Sequence, residues 1–107
     1  MAYSKETEKR LTELLGEIEG RKEHEYAAAT YKDIPALKEI VRLVEEQLAG
    51  DSDESTYVDS IAVLGYVADR YDSLGRFAVS AKFYNQILTL ALTLKQQYGT
   101  DTDGIDG

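Results

Sequence analysis

The chain has almost none of the histidine and cysteine residues on which nucleophilic catalysis and zinc binding most often depend. His24 is the only histidine, and the 107 residues contain no cysteine. A nucleophilic triad needs a histidine beside its nucleophile, and a zinc site needs several ligands at helical or turn spacing. His24 lies instead among the charged residues Lys22, Glu23 and Glu25, as is typical of a solvated helix surface. We therefore predict that the protein is not an enzyme and has no catalytic residue, no metal site and no cofactor.

Acidic residues at the C-terminus could in principle bind calcium. Asp101, Asp103 and Asp106 surround Gly104, and alternating carboxylates around a glycine turn converge on one cation in calcium loops. The later bidentate glutamate of such a loop is missing here. We interpret residues 99–107 as an acidic flexible tail.

The charge of the chain limits its partners. The formal net charge is -8, whereas affinity for a phosphate backbone comes mainly from Lys and Arg. This predicts no nucleic acid and no anionic membrane as partner, and it favours a basic protein or peptide. No stretch reaches the roughly 18 apolar residues that a spanning helix needs. With no signal-peptide pattern at the N-terminus, we predict a cytoplasmic protein.

The first helix is predicted over about 4–31. Ser4 can cap it, and Tyr26 and Ala29 extend its apolar stripe. Gly16 and Gly20 weaken the helix, so a break near residues 20–22 is the alternative. The stripe itself repeats every three or four residues: Leu11, Leu14, Leu15 and Ile18.

The second helix is predicted over 34–49. Asp33 can cap it, Pro35 suits its first turn, and Gly50 favours its end. Its buried stripe has the same period: Leu37, Ile40, Val41, Val44 and Leu48.

Two more helices, over about 56–72 and 76–98, are predicted on either side of a tight turn that contains Gly75. Their apolar positions again repeat with the helical period. We therefore predict one all-α domain, residues 1–107, of four antiparallel helices.

Residues 62–99 resemble the tetratricopeptide repeat, most closely its longer variety of the kinesin-light-chain type. The matching positions are Leu64, Ala68, Tyr71, Gly75 and Tyr84. Small Ala68 lets two helices approach, while Tyr71 and Tyr84 are expected to fill the space between them. The chain departs from the family at Ser80 and Ile87, where alanine is favoured. The first helix pair is at best a divergent repeat, and a simple four-helix bundle is the alternative fold.

The resemblance implies a non-catalytic protein-interaction or scaffold module. The inner surface of the first helix of such a repeat usually contacts peptides, and the corresponding positions are Ala62, Gly65, Tyr66, Asp69, Asp72 and Ser73. Tyr66 offers an amphipathic contact, and the two aspartates favour a basic or amphipathic peptide. The alternatives are ordinary solvent exposure of this face or its cover by the first helix.

A second hypothesis is a self-associating helical domain. Leu88, Leu90 and Leu92 widen the apolar face of the fourth helix, so we predict them as a homo-oligomer contact. Repeat arrays normally need about three units, so a third hypothesis is a fragment of a larger repeat-containing regulator.

Overall fold

The computed structural model describes residues 3–24, 27–50 and 53–99. These residues contain four α-helices and no strand, which confirms the all-α class. A single 3₁₀ turn, Tyr31–Asp33, precedes the second helix. The helices are α1 (Lys5–Gly20), α2 (Ile34–Ala49), α3 (Glu54–Ser73) and α4 (Phe77–Tyr98).

Local signals account for most helix ends. The Ser4 hydroxyl accepts a hydrogen bond from the Thr7 N–H at 3.2 Å and caps α1. Asp53 caps α3 in the same way, by accepting from the Thr56 N–H at 2.9 Å. Gly75, with φ of 77°, supplies the left-handed backbone of the turn between α3 and α4.

The predicted long first helix is wrong, because α1 ends at Gly20. Two glycines weaken its C-terminal half, and its last turn carries no basic residue to stabilise the negative end of the helix dipole. The chain then turns, and Arg21 forms an ion pair with Asp33 at 2.7 Å. Ala29 is therefore outside the helix, and Tyr26 lies outside the described residues.

Each helix packs antiparallel to the next one along the chain. Arg10 of α1 binds Glu39 of α2 through two hydrogen bonds of 2.6 and 2.8 Å. Between α3 and α4, the rings of Tyr71 and Phe83 stack with centroids 5.7 Å apart. Near the other end of the same hairpin, Tyr57 contacts Tyr98 with centroids 6.4 Å apart. The arrangement is a series of helical hairpins.

α1 and α3 run parallel, and side chains from α1 and from the residue two positions before it reach α3. The Tyr3 hydroxyl lies 2.7 Å from the Ser60 hydroxyl, and the Tyr66 hydroxyl donates to Glu19 Oε2 at 2.7 Å. The molecule measures 40 × 32 × 21 Å. This flat shape leaves a groove on each flank of α3.

All four helices contribute buried side chains to the core. Its fully buried large apolar side chains are Leu14, Ile18, Leu37, Ile40, Val44, Leu64, Val67 and Leu94. Tyr71 is buried as expected, but Tyr84 is 45% exposed. Phe83, one position earlier, takes the place against Tyr71 that we expected Tyr84 to fill, because one residue turns a helix by about 100°.

One charged cluster is buried where three elements meet. The Asp33 side chain is 2% exposed, binds Arg21, and lies 3.8 Å from the guanidinium of Arg70. Arg70 also donates to the Ala27 carbonyl at 3.3 Å. The sequence suggested that the Asp33 side chain caps α2, but it does not. The carboxylate accepts a hydrogen bond from the Thr30 N–H at 3.1 Å instead. This carboxylate holds the α1–α2 connection against α3.

Candidate binding surfaces

The four predicted partner-binding residues on α3 do not form one continuous site. Asp69 and Asp72 are exposed, as expected for an open inner face. Ser73 accepts a hydrogen bond from the Ala29 N–H at 3.0 Å, so it anchors the α1–α2 connection. Tyr66 is partly buried and points towards α1. The first helix therefore covers part of this face, which was the alternative prediction.

A trough between α1 and α3, which we name the inner groove, lies beside Tyr66. It consists of two cavities of about 350 and 300 Å³ that share Leu15, Ala62 and Val63. The remaining lining residues come from both helices and from the N-terminus: Tyr3, Glu8, Leu11, Thr12, Glu19, Asp59 and Tyr66. Its floor is apolar and its edges are acidic.

The acids of the inner groove differ in their partners. Glu8 is partly buried, and within the described residues its Oε2 is shielded from solvent without a hydrogen-bond partner. Asp59 is partly buried and, within the same residues, forms no ion pair. A buried carboxylate oxygen without a donor is costly, and a cation or an N–H group would relieve that cost. This half of the groove is therefore suited to a positively charged group.

Glu19, at the other end of the inner groove, is already engaged. It binds Lys22 at 2.7 Å and accepts from the Tyr66 hydroxyl. The hydrogen bond from Lys22, followed by that from Tyr66, lowers the pKa of Glu19. Burial, with a further contribution from the hydrogen bond to Glu19, raises the pKa of Tyr66 well above its usual range. Tyr66 is thus a fixed hydroxyl donor that closes this end of the trough.

A second trough, which we name the outer groove, lies between α3 and α4. It has a volume of about 350 Å³ and is lined by Ile61, Gly65, Tyr84, Ile87 and Leu88. None of the described residues that line it is charged.

The three leucines predicted to mediate self-association, Leu88, Leu90 and Leu92, do not lie on the same face of α4. Leu88 and Leu92 are 40% and 51% exposed, whereas Leu90 is 8% exposed and belongs to the core. Residues 88 and 92 are one turn apart and share a face, but residue 90 lies about 200° away from residue 88. Leu90 is therefore not available to a partner.

Nothing in the described ranges forms a metal-binding group of three or more His, Asp or Glu side chains. His24 is exposed. The acidic tail that we compared with a calcium loop lies outside the described residues, apart from Gly99. Within the same ranges, no helix has the length and apolar character needed to cross a bilayer.

The sequence reasoning missed the contribution of α1 to the inner groove. Glu8, Leu11 and Leu15 belong to a helix that the repeat resemblance does not cover, and we read the two leucines only as core. Leu15 is only partly buried. One signal in the sequence pointed to this groove: Glu8 lies three positions before Leu11, the first residue of the apolar stripe. In a helix that spacing places the acid about one turn from the leucine.

Comparisons with protein-family models, curated proteins and solved structures gave no match for this chain. The tetratricopeptide resemblance therefore stays a prediction.

Proposed function

We propose that this protein is a non-catalytic interaction module of tetratricopeptide-like type that binds a basic amphipathic peptide in the inner groove. The observation that carries the proposal is the combination of an apolar floor with two carboxylates, those of Glu8 and Asp59, that form no ion pair within the described residues. Leu15, Ala62 and Val63 form the floor, and Glu8 and Asp59 form the acidic edge.

The chemistry of the groove selects for a particular kind of ligand. Apolar side chains of a peptide would cover the exposed floor, and burial of apolar surface drives most protein association. A Lys or Arg beside them would pair with Glu8 or Asp59. The net charge of -8 would steer such a ligand towards the protein and repel acidic competitors.

The direct test uses two designed helical peptides of the same length, one built from Leu and Lys and the other from Leu and Glu. Isothermal titration calorimetry at low salt should show binding of the Leu–Lys peptide alone. Its affinity should fall as salt is added, because partly exposed ion pairs are screened. Equal binding of both peptides would mean that only apolar contact is involved, and the proposed specificity would be wrong.

Two matched pairs of variants place the peptide in the inner groove. Glu8→Gln should weaken binding several-fold, whereas Glu45→Gln removes the same charge from an exposed position on α2 and should leave the affinity almost unchanged. Ala62→Leu fills the trough and should abolish binding, while Ala78→Leu adds the same bulk to an exposed position of α4. If the members of each pair behaved alike, the site would lie elsewhere.

A further inference from the structure

The outer side of α4 carries a line of exposed apolar side chains. Phe77, Tyr84, Leu88 and Leu92 are 40–66% exposed and follow one another at intervals of seven, four and four residues. This spacing places them on one face of the helix, which we name the outer stripe. The stripe forms one wall of the outer groove, so the two make a single apolar surface along α4.

The fold does not require a glycine at position 65, which lies in the outer groove. It lies within α3 with no positive φ, and a Cβ added there would meet no atom within 4 Å. A helical glycine is less stable than alanine at the same position. The effect of Gly65 is to open the groove, and a glycine on a helix surface lets another backbone approach closely.

The charge of α4 differs from that of the rest of the molecule. α4 is the one helix of the four without Asp or Glu, although the chain carries 20 acidic residues. Its charged residues are Lys82 and Lys95. Two copies with a net charge of -8 repel each other most where their carboxylates face one another. α4 is therefore the helix through which two copies can approach without bringing acids of that helix together.

We propose that the outer stripe and outer groove form the contact of a symmetric homodimer. A two-fold axis near Leu88 pairs the α4 helices in antiparallel fashion and seats the outer stripe of each copy against the outer groove of the other. This orientation places the two Lys95 side chains at opposite ends of the contact.

The length of the outer stripe suits contact with a second copy of the chain. The 22 residues of α4 extend about 33 Å, so a contact along the outer stripe can run for most of the length of the helix. This contact uses the flank of α3 that faces α4, whereas the proposed peptide site uses the flank that faces α1. The dimer therefore does not depend on the proposed function.

Sedimentation of the full chain over the micromolar range tests the dimer. The mass should rise with concentration towards twice the 11.9 kDa of one chain. Leu88→Lys places two like charges near the axis and should weaken the dimer by about tenfold or more. Thr89→Lys makes the same charge change one position along, outside the stripe, and should leave the mass unchanged. A wild-type mass of 11.9 kDa throughout the range, or equal effects of the two variants, would overturn the proposal.

Gly65→Leu separates loss of the contact from loss of the fold. A Cβ at this position meets no atom within 4 Å and the groove of about 350 Å³ beside it has room for the rest of the side chain, so the monomer should keep its helical circular dichroism and its resistance to urea. It also fills the groove that receives the other copy, so the sedimenting species should be monomeric. A Gly65→Leu protein that associates as strongly as the wild type would contradict the role of the outer groove.

Discussion

At the scale of single residues, Asp33 is the most deeply buried charged side chain of the described residues. Its carboxylate is almost completely buried and faces both Arg21 and Arg70. A sequence can indicate that an aspartate before a proline begins a helix, and α2 does begin there. It cannot indicate an arginine 37 positions later as its partner, because that contact exists only once α2 and α3 are packed.

We expect Asp33→Ala to lower the free energy of unfolding by about 3 kcal/mol, because it leaves the buried Arg70 without a counter-charge. Asp33→Asn keeps an acceptor for the Thr30 N–H and should cost less. Asp69→Ala, at an exposed position, serves as the control and should stay within about 0.5 kcal/mol of the wild type. Urea denaturation measures all three. An Asp33→Ala effect as small as that of the control would contradict the role assigned to the cluster.

The Tyr66–Glu19 hydrogen bond should make part of the stability pH-dependent. The pKa of Glu19 is lowered from 4.5, first by Lys22 and then by Tyr66, so the stabilisation due to Tyr66 is complete above pH 4.5 and is lost as the pH falls through the lowered value. Tyr66→Phe should therefore be less stable than the wild type at neutral pH, by roughly 0.5–1 kcal/mol for a half-exposed acceptor.

The difference between wild type and Tyr66→Phe should then shrink in acid, as followed by urea denaturation at a series of pH values. Tyr31→Phe removes a hydroxyl from an exposed ring and should show no such trend. A Tyr66→Phe difference that stayed constant down to the acid limit would mean that Glu19 is not the acceptor that matters.

At the scale of helices, the sequence was most informative where both ends carry local signals. α2 has Asp33, Pro35 and Gly50 at its limits, and its bounds match the prediction of 34–49. The bounds of α3 and α4 differ from their predictions by at most two residues. α1 was extended too far because its end depends on glycines of weak effect and on the distant contacts of Arg21 and Ala27.

Replacement by alanine should change the stability of the protein in opposite directions at two glycines whose surroundings are equally open. A Cβ added at Gly16 or at Gly75 would meet no atom within 4 Å, so steric clashes do not distinguish them. Gly75 has φ of 77°, and an L-residue in that region costs about 1 kcal/mol. Gly16 lies within α1, where alanine should add up to about 1 kcal/mol. Thermal unfolding of Gly16→Ala and Gly75→Ala checks this, and shifts of the same sign would refute it.

At the scale of the whole molecule, the sequence predicted the class and the order of the helices but not the surfaces between them. A helical period identifies which side of a helix is apolar, not which neighbour covers it. The inner groove depends on the distance between α1 and α3, which Tyr3 and Tyr66 set through contacts 57 and 47 residues apart along the chain. The outer groove depends on how α4 is rotated about its own axis, because that rotation decides which of its residues face α3. The wrong expectation for Tyr84 shows that an error of one residue is enough to place a side chain on the wrong face.

α1 should be the first helix to open. It packs mainly on α2, whereas α3 and α4 hold each other through aromatic contacts at both ends of their hairpin, Tyr71 with Phe83 and Tyr57 with Tyr98. Native-state hydrogen exchange should therefore give lower opening free energies for the amides of α1 than for those in the middle of α3 and α4. Uniform protection of all four helices would show that they unfold as one unit.

The buried carboxylate at the end of the α1–α2 connection also bears on the order of assembly. The α3–α4 hairpin closes through a turn of a few residues, so it can form early, while Asp33 meets Arg70 only after a much longer segment has been brought together. Until then the guanidinium of Arg70 keeps its water. We therefore expect its dehydration to accompany the docking of the N-terminal pair onto a hairpin that has already formed, so that Asp33→Asn would change the unfolding rate more than the folding rate in stopped-flow measurements.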